Sequence, residues 1–149
     1  MIRKARLSDV KQIQALVNSF AKKQLMLPRS LNELFENLRD FWVWEENKRI
    51  YGCCALHISW EDLAELKSLA VDTARQEKGI GAQLVNACLS EAKELKAKKI
   101  FVLTYRPQYF KRFGFKKIKN SCLPHKIWVE CINCAKFPNC REIALVKKI

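Results

Sequence analysis

Residues 76–81, Gln-Glu-Lys-Gly-Ile-Gly, separate two runs of different period. Before them, Leu63 to Val71 alternates and predicts a strand with Leu63, Glu65, Lys67, Leu69 and Val71 on one face. After them, Ala82 to Ala97 predicts a helix with Leu84, Val85, Cys88, Leu89, Ala92 and Leu95 along one side. A strand that turns through glycines into a helix exposes the first amides of that helix, and such amides bind phosphate. Two phosphate loops are excluded. A P-loop has Lys-Ser/Thr after its second glycine, where this chain has Ala82-Gln83; a dinucleotide fingerprint has a third small residue where it has Leu84. Taken alone, the two glycines read as a surface turn before an amphipathic helix.

Further strands and helices surround this unit. Residues 2–6 predict a short strand, Ser8 stands where a helix N-cap would, and Val10, Ile13, Val17 and Phe20 follow at helical spacing. Leu25 to Arg29 is a loop, because Pro28 disfavours helix before it. Ser30 with Glu33 forms a capping box, and Leu31, Leu34, Phe35 and Leu38 give the next helix its apolar face. Phe41 to Glu45, the polar turn Glu46-Asn47-Lys48 and Arg49 to about Ser59 predict a hairpin. Ile100 to Tyr105 is a buried strand, and Pro107 opens a short helix that Gly114 stops. Two last strands are expected around Lys126–Cys131 and Glu142–Lys147. The sum is an α+β or α/β domain in which strands and helices alternate only in the middle.

Composition bounds the class. The chain has 149 residues, 49% hydrophobic and 29% charged, which suits a globular domain and not a disordered segment. No repeat or linker interrupts it, so a single domain over residues 1–149 is expected. No apolar run approaches the roughly 18 residues of a membrane span. The basic start, Met1 to Arg6, leads into no apolar stretch of the secretory kind, and a cytoplasmic protein is expected. The formal charge is +13, and residues 98–149 hold 13 basic but only two acidic side chains. Such a field attracts anions, whether nucleic acid, phosphorylated cofactors or acidic substrates.

Val71, then Gln76-x-x-Gly79-x-Gly81, the amphipathic helix, the strand Ile100–Tyr105 and Phe113-Gly114-Phe115 together resemble the GNAT acyltransferase family. The resemblance covers essentially the whole chain. It implies a central, mixed but mostly antiparallel sheet flanked by helices, and acetyl-CoA as cosubstrate. In that family the amides of the Gln/Arg-x-x-Gly-x-Gly/Ala loop cradle the pyrophosphate. This implies a cofactor site of Gln76, Glu77, Lys78, Gly79, Ile80, Gly81 and Ala82, joined by Leu69, Ala70 and Val71 of the strand. Leu27-Pro28-Arg29-Ser30, Ala64 to Val71, Tyr105 to Phe110 and Trp128 to Cys134 further look like the short, kinase-less bacterial N-acetylglutamate synthases. Those proteins acetylate the α-amine of glutamate at the entrance to arginine biosynthesis.

Acetyl transfer requires an ammonium to lose a proton, a carbonyl oxygen to be stabilised as it becomes negative, and a thiolate to leave. The resemblance puts the catalytic glutamate of the family at Glu65, on the same expected strand face as Val71. Burial raises the pKa of such a carboxyl and suits it to take the proton, directly or through water. Glu65 also reads as a half-exposed strand residue balanced by Lys67. The amides near Ser68 to Val71 would polarise the acetyl carbonyl, as the splayed strand of the family does. Many members carry an acidic tyrosine where this chain has Phe110. The acid is therefore open among Tyr109, Tyr105 and Thr104, Tyr109 first, or the thiolate leaves unassisted. Substrate carboxylates call for arginine. Arg29 comes first, in the region the synthases use for this; Lys67 comes second, next to Ser68. Arg106 would serve the other carboxylate or the cofactor phosphates, and Lys78, Lys111 and Arg112 those phosphates. Arg29, Lys67 and Arg106 each have the alternative reading of a solvated surface charge.

Seven cysteines, an odd number without a secretory signal, are read as reduced thiols or metal ligands. Cys131-x-x-Cys134 and Cys140, preceded by Cys122 and His125, offer zinc ligands that would pin the loop Ala135–Asn139, or the thiols are simply small apolar side chains. Cys53, Cys54 and Cys88 fall on core positions. Other functions compete. The same fold can serve a polyamine, a protein N-terminus or a lysine, although a charge of +13 disfavours cationic acceptors. A basic nucleic-acid-binding module with a zinc knuckle would use Trp128, Phe137, Phe113 and Phe115 among the cations. No nucleic-acid signature appears, so an amino acid and acetyl-CoA are the expected partners, with no nucleic acid and no membrane. Oligomeric state is open, a homodimer included.

Overall fold

The computed structural model describes residues 1–23, 25–119 and 142–149, with Glu77 through its backbone alone. Among the described residues seven strands form one sheet: β1 (Ile2–Lys4), β2 (Phe41–Glu46), β3 (Arg49–Trp60), β4 (Leu63–Val71), β5 (Lys99–Thr104), β6 (Lys116–Lys117) and β7 (Ile143–Lys148). Their order is β1-β2-β3-β4-β5-β7-β6. Every neighbouring pair is antiparallel except β4 and β5, which run parallel. Helices α1 (Val10–Lys22) and α2 (Leu31–Glu36) cover one face, where Val10, Ile13, Val17 and Leu34 pack on Phe41, Val43, Cys53, Ala55 and Ala70. Helix α3 (Ile80–Glu94) covers the other with Leu84, Val85, Cys88 and Ala92 against Cys54, Leu56, Ala64, Leu66, Ile100 and Val102. The short α4 (Pro107–Lys111) follows β5. The expected strand at Lys126–Cys131 lies outside the described residues.

Local chemistry explains most boundaries. Asn47 and Lys48 both take positive φ, 51° and 64°, the two-residue turn whose twist matches a hairpin. Ser30 Oγ accepts the Glu33 amide at 3.1 Å, so Ser30 caps α2 as expected. Ser8 does not cap α1. It falls inside a 3-10 turn, Leu7–Asp9, because Asp9 is the stronger acceptor. The Asp9 carboxylate takes the Arg6 amide at 2.8 Å and the Arg3 guanidinium at 2.7 and 3.0 Å, while Arg3 Nε reaches Glu45 at 2.7 Å. Burial pushes the Asp9 carboxyl up, but the Arg3 and Arg6 contacts outweigh it and hold it below its ordinary pKa.

Two apolar stripes are shorter than expected. Phe35 is exposed, and so is Leu95. Helix α3 closes before Leu95 can join the core: Lys96 turns left-handed (φ 65°), its amide bonds the Lys93 carbonyl at 3.1 Å, and the Ala97 amide bonds the Ala92 carbonyl at 3.0 Å. Ile80 extends the stripe at the other end instead.

The alternation assigned to β4 breaks in the middle. Lys67 pairs with Ala55 and Ala70 with Cys53, so Ser68 and Leu69 together oppose Cys54. This is a β-bulge, with Ser68 at φ 56°. An extra residue inverts every later side chain. Ala70 therefore faces α1, and Val71 faces α3 together with Ala64 and Leu66. Glu65 and Val71 lie on opposite faces, not on one. No helix among the described residues is long and apolar enough to cross a membrane.

Candidate active site

Strands β4 and β5 pair only at Leu63–Lys99, Ala64–Ile100 and Glu65–Phe101. Beyond Glu65, β4 continues to Val71, while β5 keeps its other edge on β7 as far as Thr104–Ile143. The two strands bound a wedge that opens from Glu65 toward Val71.

The start of α3 stands at the mouth of this wedge. Asp72 Oδ1 accepts the Ala74 amide at 3.0 Å, a 3-10 turn covers Thr73–Lys78, and Gln76 Nε2 donates to the Val71 carbonyl at 3.0 Å. Gly79 then takes φ 73°, and the Gln83 amide closes the first helical hydrogen bond on its carbonyl at 3.1 Å. The amides of Ile80, Gly81 and Ala82 thus precede the hydrogen-bonded ladder, where a helix favours negative charge. A Cβ on Gly81 would lie 2.6 Å from Tyr109 Oη and 3.7 Å from Val71 Cγ2, so Gly81 is flanked by the end of β4 and by α4. Lys78 and Gly79 are exposed beside it, and Glu77 lies in the same turn.

Helix α4 supplies the opposite lip. Burial pushes the Tyr109 phenol above its ordinary pKa, against the pull of Arg112, whose guanidinium lies 5.0 Å from the ring centroid. The phenol is therefore a protonated donor at neutral pH. Phe110, where many members of the resembled family have tyrosine, is buried and packs edge-on against Tyr109 and Phe115. Arg106 is exposed at the start of α4, its amide on Thr104 Oγ1 at 2.9 Å; Lys111 and Arg112 are exposed at the end.

On the α1 face, Glu65 is 7% exposed, so the half-exposed alternative does not hold. Lys67, two residues on, shares its face. Arg29 reaches the bulge: its Nε donates to Ser68 Oγ at 3.2 Å, and Nη1 lies 3.8 Å from the Glu33 carboxylate. The loop is tied to α1. The Arg29 amide donates to Asn18 Oδ1 at 3.0 Å, and Asn18 Nδ2 and Gln14 Nε2 each donate to its carbonyl at 3.4 Å. The structure thus gathers Arg29, Ser68, Lys67 and Glu65 on one side, and the glycine turn with Tyr109 and Arg112 at the wedge mouth.

The sequence reading missed the Asn18–Gln14 clamp and a second pair, His57 Nδ1 and Asp40 Oδ2, 2.6 Å apart. The hairpin register could have found that pair, because a turn at Asn47-Lys48 brings residue 57 level with the residues just before Phe41. Cys53, Cys54 and Cys88 are buried, as core positions should be. Burial pushes the Cys53 thiol up to about 12, and its Sγ donates to the Ser68 carbonyl at 3.3 Å. No cluster of three His, Cys, Asp or Glu able to hold a metal occurs among the described residues. Cys122, His125, Cys131, Cys134 and Cys140 lie outside them.

A family profile for acetyltransferase (GNAT) domains matches residues 37–117. An N-acetyltransferase of Chlorobaculum tepidum, itself uncharacterised, is 39% identical over 99% of this chain and 96% of its own length. An amino-acid acetyltransferase of Mycobacterium tuberculosis is 37% identical over 87% of this chain and 76% of its own length. The crystal structure of N-acetylglutamate synthase from Neisseria gonorrhoeae, complexed with coenzyme A and N-acetyl-glutamate, superposes with a TM-score of 0.90 at 25% identity. It is matched over 99% of this chain and 34% of that one, so this chain spans about a third of the synthase. The chain belongs to the GNAT acetyltransferase family. It is an acyltransferase, and acetyl-CoA is its acetyl donor.

Proposed function

We propose that the chain acetylates the α-amine of an amino acid, L-glutamate foremost. This is the N-acetylglutamate synthase reaction that opens arginine biosynthesis. The contact of Arg29 with Ser68 carries the reading: a tethered guanidinium stands on the bulge of β4, three residues from buried Glu65. An α-carboxylate held by the arginine fork places the neighbouring α-amine close by, on the face that carries Glu65. Lys67 and Arg106 offer positive charge for a second carboxylate. The names of the relatives, and the N-acetyl-glutamate bound to the gonococcal synthase, support the same acceptor.

In this reading Glu65 takes a proton from the ammonium, and the freed amine attacks the thioester carbon. The C–N bond forms as the C–S bond breaks. Amides between Ser68 and Val71, on the edge of β4 that has left β5, polarise the carbonyl oxygen. The amides of Ile80, Gly81 and Ala82 hold the pyrophosphate, with Lys78 and Arg112 at the rim and Gln76 bracing the turn. Tyr109, a neutral phenol beside Gly81, is the donor nearest the leaving thiolate.

The test is product detection by mass spectrometry after mixing protein and acetyl-CoA with each amino acid, spermidine and a lysine peptide. Acetylglutamate is expected. Glu65→Gln should lower kcat on the order of 100-fold or more, the range of general base catalysis. Arg29→Ala should raise KM for glutamate by roughly 10–100-fold, as loss of a charge-assisted hydrogen bond does. Acetylation of a different amine, with Arg29→Ala silent, would remove the glutamate assignment and leave the acetyl transfer.

A further inference from the structure

Among the described residues, the face of the sheet that carries Glu65 also holds a hydrogen-bonded pair, His57 and Asp40. Asp40 ends a 3-10 turn, Leu38–Asp40, that leads into β2, so its carboxylate meets His57 Nδ1 from the β2 side. On the other side of β3, the Cα partner of His57 in β4 is Glu65. Directly opposed residues of an antiparallel pair share a face, with Cβ atoms roughly 4.5–5.5 Å apart. Glu65 is 7% exposed, whereas the side chains of His57 and Asp40 are 26% and 22% exposed. A bridge of two partly wet groups stands between a buried carboxylate and water. Among the described residues, the same side also carries Arg29 on the bulge and the Arg3–Asp9–Glu45 tie. Lys67 follows Glu65 on β4, β2 contributes Phe41 and Val43, and α1 turns Val10, Ile13 and Val17 to the sheet.

We propose that His57, oriented by Asp40, relays the acceptor proton from Glu65 to solvent. The proposal rests on the reading of Glu65 as the base. One N–H bond of the ammonium breaks and the proton joins the Glu65 carboxylate. The carboxyl must ionise again before the next turnover, and at its depth little water can take the proton. His57 Nε2, the ring nitrogen not held by Asp40, accepts it. The imidazolium is stabilised by the Asp40 carboxylate and releases the proton to water from its exposed edge. The second amine proton leaves with the thiolate, so protons balance without a further reagent. His57 acts in this scheme as a relay residue.

Two measurements test this. The first needs no activity: the His57 imidazole is titrated by ¹H–¹⁵N correlation in the wild type, Glu65→Gln and Asp40→Asn. Groups that share one proton path are coupled in titration, so both substitutions should move the midpoint. A midpoint that ignores Glu65→Gln overturns the proposal, whatever the acceptor is. The second uses His57→Gln, which keeps a donor for Asp40 but cannot titrate, with whichever amine the wild type acetylates. Its kcat should drop on the order of 10–100-fold with both KM values kept. In His57→Ala, imidazole buffer should restore turnover above an enzyme-free blank. An unchanged kcat, or a loss that imidazole leaves in place, overturns the relay. Full activity in Glu65→Gln would remove the base and the relay together, whereas failure with glutamate alone removes only the acceptor assignment.

Discussion

Non-glycine residues with positive φ divide by what the conformation does. Asn47 and Lys48 make the hairpin turn, Lys96 closes α3, and Ser68 makes the bulge. At Lys96 the left-handed backbone serves only chain closure, so Lys96→Gly should stabilise the fold by about 1 kcal/mol, read as a higher urea midpoint at constant slope. Ser68→Gly relieves a similar strain but removes the hydroxyl under Arg29. Its melting temperature should rise while KM for the amino acid rises several-fold, a trade expected where strain sits at a functional position. If both variants only stabilise, Ser68 is a backbone device and nothing more. The bulge itself was not legible. Leu69, Ala70 and Val71 are all apolar, so they satisfy a straight strand and an inverted one equally well.

Elements are joined by polar ties as much as by the core. Arg3 binds Asp9 and Glu45 together, linking β1, the turn before α1 and β2. Hydrogen bonding to Arg3 holds the Glu45 carboxyl below its ordinary pKa, and Asp9 is held low as well despite its burial. A depressed carboxylate stabilises the fold above its unfolded pKa, near 4, and loses that contribution as pH falls through the folded value. Melting temperature should therefore drop as the protein is acidified below about pH 4. Asp9→Asn should lower it at pH 7 and flatten that acid slope. An unchanged slope would show the tie to be inert. This tie is also why Ser8 lost the N-cap that its position suggested. Hairpin, α1, α3 and β5 were readable because each carries its own period over many residues. Strand β6, two residues long, has no period to read. The wedge was invisible for another reason: pairing belongs to two strands at once, and neither Leu66–Val71 nor Val102–Thr104 announces in its own residues that it stands apart.

At the scale of the molecule, +13 of formal charge meets an acetyl donor that carries several phosphates. KM for acetyl-CoA should rise with sodium chloride more steeply than KM for the amino acid, with kcat nearly constant, because long-range attraction is screened over about 10 Å at 0.1 M. Equal salt slopes would mean that only local contacts hold the donor. The bulge of β4 has a consequence at this scale too. It divides one strand into two halves of opposite phase: Glu65 and Lys67 share the face opposite α3, and after the bulge Leu69 and Val71 pack toward α3 beside the glycine turn. Changes in the first half, or in the loop around Arg29, need not disturb the second. On the proposed function, acceptor choice and donor choice are separable traits written on a single strand, and a library randomised at Lys67, Ser68 and Arg29 should yield new acceptors while keeping acetyl-CoA.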